Sequence, residues 1–221
     1  MIEKIILAVL TGYLLGGLPF GVWISRMFGK ADIRSEGSGN IGATNVWRVA
    51  GKTAGVATLV LDIAKGSVAV VLAEMIVSGG ESHSLIKLCG GSAAVLGHMF
   101  SPLLGFKGGK GVNTALGVFV VLLPFETLIG VAVFLAVAFV TRYISLGSVL
   151  GSLTLAGVMI YERFLGDNPP PPGYTWICVA LYLLILYSHR QNIRRIIFGA
   201  ESKFSLHAKP GKTNTEKANA K

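Results

Sequence analysis

Only two of the 221 residues are cysteine, only 14% carry a charged side chain, and eleven acids face twenty lysines and arginines. Cys89 and Cys178 both lie in apolar stretches and match no metal-ligand spacing, which excludes a disulfide framework and leaves small buried hydrophobes. The chain also lacks H-E-x-x-H or any similar metal pair, and it has no G-x-S-x-G nucleophile elbow. A Walker loop is missing because Lys110 is followed by Gly111, so a nucleotide triphosphate is not indicated. No histidine has an aspartate five positions on, and no internal repeat suggests an inverted-repeat transporter. Neither a metal nor a cofactor is expected.

What fills the chain is apolar. Hydrophobic residues make up 52%, with a mean hydropathy of +0.64, beyond the range of an ordinary soluble domain. Apolar runs recur throughout, at Ile5–Ile24, Thr53–Val77, Ser84–Leu104, Val112–Leu123, Phe125–Val140, Ile144–Tyr161 and Tyr174–Ser188. The first is long, contains Pro19, and precedes Arg26 and Lys30 rather than a small-residue cleavage site, so it reads as a retained helix. Val112–Leu123 is short against the roughly 20 residues of a straight crossing. Separated from the next run by Pro124 and Glu126, it could form a re-entrant hairpin, which leaves five, six or seven crossings. The expected fold is all-α, a polytopic bundle of about seven transmembrane helices. Residues 1–204 form its single domain, and a basic, disordered tail occupies 205–221.

Charge selects seven. Arg26, Lys30, Arg34, Arg48, Lys52, Lys107, Lys110, Arg142, Arg190, Arg194 and Arg195 all fall in alternate loops and the tail. The other loops hold Glu3 with Lys4, then Glu81, then Glu126, then Glu162, Arg163 and Asp167 beside Pro169–Pro172. The positive-inside rule puts the N-terminus outside and the C-terminus in the cytoplasm. It also accounts for the net charge of +9 without nucleic acid as a partner. Within the second run, Asp62 and Lys65 stand three apart and can pair on one helix face.

Two polar, glycine-rich loops share the basic side. Gly37-Ser38-Gly39-Asn40-Ile41-Gly42-Ala43-Thr44-Asn45 ends in Arg48, and Phe106-Lys107-Gly108-Gly109-Lys110-Gly111 leads into Asn113 and Thr114 at a helix start. Glycine backbone can turn N–H groups to one point, and arginine grips phosphate with two parallel bonds. A helix N-terminus adds a ready anion site. His189 closes the last apolar run with Asn192 three residues on, on the same face if the helix continues. His98 reads as a structural histidine, and His83 and His207 as incidental. The residues imply phosphate binding at the cytoplasmic membrane surface. A lipid-phosphate enzyme and an anion transporter both fit.

The runs GSGNIGATNVWR, LDIAKG, GHMFSPLLGFKGGKGVNT, TRYISLGSV and HRQNIRR resemble the bacterial acyl-phosphate-dependent glycerol-3-phosphate acyltransferases, the PlsY family. These motifs recur in order up to about Glu201. The resemblance implies seven membrane helices in the bacterial inner membrane and an active site facing the cytoplasm. The implied reaction moves a fatty acyl group from acyl phosphate to glycerol 3-phosphate, giving lysophosphatidic acid and phosphate. By resemblance Ser38, Arg48, His189 and Asn192 are catalytic, with His189 either a general base or an orienting group. Asn40, Thr44, Asn45, Lys107, Gly108, Gly109, Lys110, Gly111 and Ser145 bind substrate, and Glu201 is structural. Glycerol 3-phosphate, acyl phosphate, membrane lipid and the enzyme that makes acyl phosphate are the implied partners.

Overall fold

Residues 1–30, 32–76 and 82–205 are described by the computed structural model, and among them there are helices and turns but no strand. The tail at 205–221, except for Ser205, lies outside the described residues, and so do Glu81 and the side chain of His83.

The first apolar run is two helices rather than one, α1 (Ile2–Gly16) and α2 (Phe20–Met27). Proline has no N–H to continue the ladder and disfavours helix at the residue before it, so the chain breaks at Leu18-Pro19. A short helix missing from the loop expectation follows, α3 (Ala43–Ala50), with Ala43, Val46 and Val49 buried along one face. Six more helices come next: α4 (Lys52–Met75), α5 (Ser82–Met99), α6 (Val112–Leu122), α7 (Pro124–Thr141), α8 (Ile144–Leu165) and α9 (Pro172–Ser188). The last helix, α10 (Arg190–Ile197), starts directly after His189, which ends α9. Helix α5 stops five residues before the expected Leu104, because Pro102 forces Ser101 out of helix and opens a 3₁₀ turn.

Among the described residues four stretches are long and apolar enough to cross a membrane: Ile2–Met27, Lys52–Met75, Pro124–Thr141 and Ile144–Leu165; α6 and α9 are apolar but shorter. Helix α1 lies along α5, α4 along α6, and α7 along α8, which also packs on α9. Because α6 leans chiefly on α4 and α7 chiefly on α8, the two do not form a self-contained hairpin.

Small residues set these contacts. A Cβ at Gly117 would stand 1.9 Å from the Ile63 carbonyl oxygen, and one at Gly66 would stand 2.2 Å from that of Thr114. The α4 and α6 backbones therefore touch, as membrane helices do when no bulky side chain separates them. At the same level Asp62 and Lys65 form the expected pair at 2.8 Å. The Lys65 ammonium also donates to the Leu18 carbonyl (3.0 Å), freed by the break between α1 and α2, and lies 2.8 Å from His98 Nδ1. Three distant segments are thus tied together beneath the second glycine loop.

Candidate active site

A cavity of about 470 Å³ opens between α4 and α6 on one bank and α7, α8 and α9 on the other. Its mouth is polar and its depth apolar. The first glycine-rich loop reaches the mouth because Asn45 staples it from inside. Its amide donates to the carbonyls of Asn40 (2.8 Å) and Glu36 (3.0 Å), and its oxygen accepts the Ser38 N–H (2.8 Å). Asn40 in turn accepts the Gly42 N–H (2.8 Å). The N-terminus of α3 that follows has no side-chain cap, and Gly42, Ala43 and Thr44 line the cavity there. The Asn45 N–H donates back to the Gly42 carbonyl (3.0 Å), while the amides of Ala43 and Thr44 precede the first helical bond and carry the positive end of the helix dipole.

A second helix start meets the same cavity. Gly111, at φ +83°, caps α6 in a backbone conformation that L side chains resist, and again no side chain caps the turn. Gly111 and Asn113 line the cavity. Gly108 and Gly109 do not line it: their N–H groups donate to the carbonyls of Met99 and His98, both at 3.0 Å. A Cβ on Gly109 would lie 2.1 Å from His98 Nε2, so the loop is pressed onto the ring. Lys107 is exposed and outside the lining, whereas Lys110 turns inward and donates to Asn192 Oδ1.

From the far bank come Ser145, His189, Asn192 and Glu201. Glu201 Oε1 accepts from Asn192 (2.6 Å) and Ser145 (2.8 Å), and Oε2 accepts from Arg195 Nε (2.8 Å). Burial would raise the Glu201 carboxyl, but the bonds from Arg195, Asn192 and Ser145 outweigh it and hold the group below the usual range. His189 Nδ1 lies 2.8 Å from the Ile185 carbonyl, which can only accept. Nδ1 therefore carries the proton, and Nε2 of the neutral ring is an acceptor. Burial, reinforced by the Lys110 charge, pushes the imidazole down to about 4. Burial also lowers the Lys110 ammonium to about 8, against the pull of Glu201 and with Arg195 and Arg48 assisting.

The irregular segment from Glu201 to Ser205 runs as a strap along the mouth. Arg48 Nη2 donates to the Ser202 carbonyl (3.0 Å), and the Phe204 N–H donates to the Arg142 carbonyl (2.7 Å). The Phe204 ring meets Trp47 at 5.3 Å between centroids. Of the residues expected from sequence, Ser38, Asn40, Thr44, Asn45, Arg48, Lys110, Gly111, Ser145, His189 and Asn192 converge on this one cavity. Among the described residues no cluster of three metal-ligating side chains is present.

A family model for glycerol-3-phosphate acyltransferase matches residues 6–199. The chain belongs to this family. It is 42% identical over 196 residues to a glycerol-3-phosphate acyltransferase of Syntrophotalea carbinolica, covering 89% of this chain and 95% of that one. To the enzyme of the same description from Anaeromyxobacter dehalogenans it is 44% identical over 197 residues, covering 88% and 94%. Among solved structures it resembles PlsY, an integral membrane glycerol 3-phosphate acyltransferase, in its glycerol 3-phosphate form (TM-score 0.80, 35% identity, 91% of this chain and 96% of that one). The lysophosphatidic acid form of PlsY gives a TM-score of 0.77 at 34% identity, with the same coverage. The chain is thus an integral membrane protein of the PlsY family. Its strap of residues from Glu201 to Ser205 lies past the end of the family match.

The sequence reading missed two features of the site: α3 and the strap. Val46 and Val49 at a three-residue spacing after the glycine run are the signal that finds α3. Nothing local announces that Phe204 returns to Trp47.

Proposed function

We propose that the protein transfers a fatty acyl group from acyl phosphate to the 1-hydroxyl of glycerol 3-phosphate, giving lysophosphatidic acid and phosphate in phospholipid biosynthesis. One observation carries this reading. Two uncapped helix N-termini, with Arg48 and Lys110 beside them, face the mouth of a single apolar cavity. Two anion sites over one lipid-sized slot suit two phosphate-bearing substrates of which one has an acyl tail.

In this reading the α3 turn, with Ser38, Asn40 and Thr44, cradles the phosphate of the acyl donor, and Asn45 keeps that turn in shape. Arg48, Lys110, Ser145 and Asn192 hold glycerol 3-phosphate. Lys107 steers anions from outside, while Gly108, Gly109 and Gly111 shape the loop. The substrate 1-hydroxyl donates to His189 Nε2, which aims its oxygen at the acyl carbonyl carbon. A C–O bond forms there, the acyl–phosphate C–O bond breaks, and the hydroxyl proton swings from Nε2 to an oxygen of the departing phosphate. A histidine held near 4 is a weak base, which favours orientation with the substrate phosphate as proton acceptor. Bringing the two anions together supplies much of the rate, and the cations and helix ends offset their repulsion. Seven crossings, the N-terminus outside and the site facing the cytoplasm of the bacterial inner membrane complete the reading.

The test is purified protein in detergent or vesicles with palmitoyl phosphate and glycerol 3-phosphate. Lysophosphatidic acid and one equivalent of phosphate are expected. No product, with glycerol 3-phosphate instead entering sealed vesicles, rejects the enzyme in favour of a transporter.

A further inference from the structure

Three ionisable side chains inside the bundle take no part in the acyl transfer: Asp62, Lys65 and His98, only 2%, 1% and 4% exposed. The Lys65 ammonium has three hydrogens and three neighbours within reach of them: Asp62 Oδ1 at 2.8 Å, the Leu18 carbonyl at 3.0 Å and His98 Nδ1 at 2.8 Å. An ammonium can only donate, so His98 Nδ1 presents its lone pair and the ring proton is on Nε2. Asp62 Oδ1 stands 3.6 Å from Nδ1, too far for a hydrogen bond. Burying an ion pair in a membrane helix is costly, and apolar side chains would pack α4 against α5 as well or better. What the pair adds is a fixed imidazole.

That imidazole carries the second glycine loop. Gly108 and Gly109 donate to the carbonyls of Met99 and His98, and a Cβ on Gly109 would meet His98 Nε2 at 2.1 Å. A Cβ on Gly111 would stand 3.0 Å from Met99 Sδ. The loop therefore lies on the last turn of α5, with Gly109 against the His98 ring, Gly111 against Met99, and Lys110 held between them. Gly66, next to Lys65, touches the Thr114 carbonyl in the first turn of α6. One turn of α4 thus fixes both flanks of the loop, α5 through Lys65 and α6 through Gly66. We infer that Lys65 and His98 are positioning residues for the anion site: Lys65 locks the His98 ring under Gly109, and that ring sets where Lys110 and the first turn of α6 meet glycerol 3-phosphate. The inference rests on the acyl-transfer reading above for the identity of the anion. Lys65 acts through His98, and His98 acts through the loop. A displaced Lys110 loses its charge-assisted bond to phosphate, so substrate affinity suffers before the chemical step does.

The experiment measures KM for glycerol 3-phosphate, kcat and the melting temperature in detergent. Lys65→Met alone strands the Asp62 carboxylate, which among the described residues has no hydrogen-bond partner, and should lower the melting temperature. Asp62→Asn combined with Lys65→Met removes both charges and should restore the melt. Its KM should nevertheless stay raised about tenfold or more, as the loss of one charged hydrogen bond requires. His98→Asn keeps an acceptor for Lys65 where Nδ1 stood but puts no ring beneath Gly109. It should fold and raise KM to a similar degree, with kcat at saturating glycerol 3-phosphate within about threefold of native. A cluster that only holds helices together predicts that KM follows the melt. A native KM in the restored double variant, or in His98→Asn, therefore overturns the inference, and where the double variant does not fold His98→Asn decides alone. If the native protein transfers no acyl group, the acyl-transfer reading falls and the loop is still tested by the rise in melting temperature with glycerol 3-phosphate. A rise that needs about tenfold more ligand in His98→Asn supports the positioning, and an equal rise overturns it.

Discussion

Lys110 and His189 line one cavity, and burial lowers both groups, with the Lys110 charge further depressing the protonated imidazole. A bound phosphate favours the charged ammonium, so affinity is full below the Lys110 value of about 8 and is lost as pH rises through it. The KM for glycerol 3-phosphate is therefore expected to climb above pH 8. Lys110→Arg, charged at every working pH, should flatten that climb, and an equal climb in the variant assigns it elsewhere. His189 stays neutral from pH 6 to 9, so His189→Ala should lower kcat by about 10² or more across that range. If His189 orients rather than accepts the proton, no limb of the native kcat profile above pH 6 disappears with it. Loss of such a limb would make His189 the base.

At the scale of the element, helix contacts bring the motifs together. Gly117 against Ile63 leaves no space for a side chain between α4 and α6, and the α6 N-terminus enters the site only because that contact is close. Gly117→Leu should lower the melting temperature in detergent, by overpacking of about 1–3 kcal/mol, and should disturb anion binding with it. An unchanged melt would mean α6 can move away freely. Elements also mark what a linear reading could and could not find. Ser38, Arg48 and His189 were legible because each sits in a motif whose residue types suit phosphate chemistry. Four of the spans were legible from hydropathy, and the Asp62–Lys65 pair from helical spacing. Asn45 was read as a ligand, yet its four hydrogen-bonding contacts go to its own loop, a division of labour that spacing does not reveal. The bond from Lys110 to Asn192 joins residues 82 apart, and only the packing of α9 beside the second loop creates it.

For the whole molecule, the cavity has one polar end, and the excess of basic loops lies at that end. Orientation can be read with an impermeant maleimide, after Cys89 and Cys178 are replaced by alanine. Lys107→Cys sits on the exposed second loop, and Asn168→Cys on the exposed turn between α8 and α9. Labelling of the Asn168 position in intact spheroplasts, with the Lys107 position labelled only after permeabilisation, is expected; the reverse pattern turns the site outward. The Asp62–Lys65–His98 cluster holds the α1–α2 break, α4 and α5 together beneath the loop that bears Lys110.

Because Phe204 is held against Trp47 and Arg142, the segment from Glu201 to Ser205 fences one side of the cavity entrance. Lys203, whose ammonium lies 5.8 Å from the centre of the Tyr143 ring, sets a cation in that fence. An anionic substrate must pass this charge on its way in, so its rate of capture should fall as added salt screens the entrance.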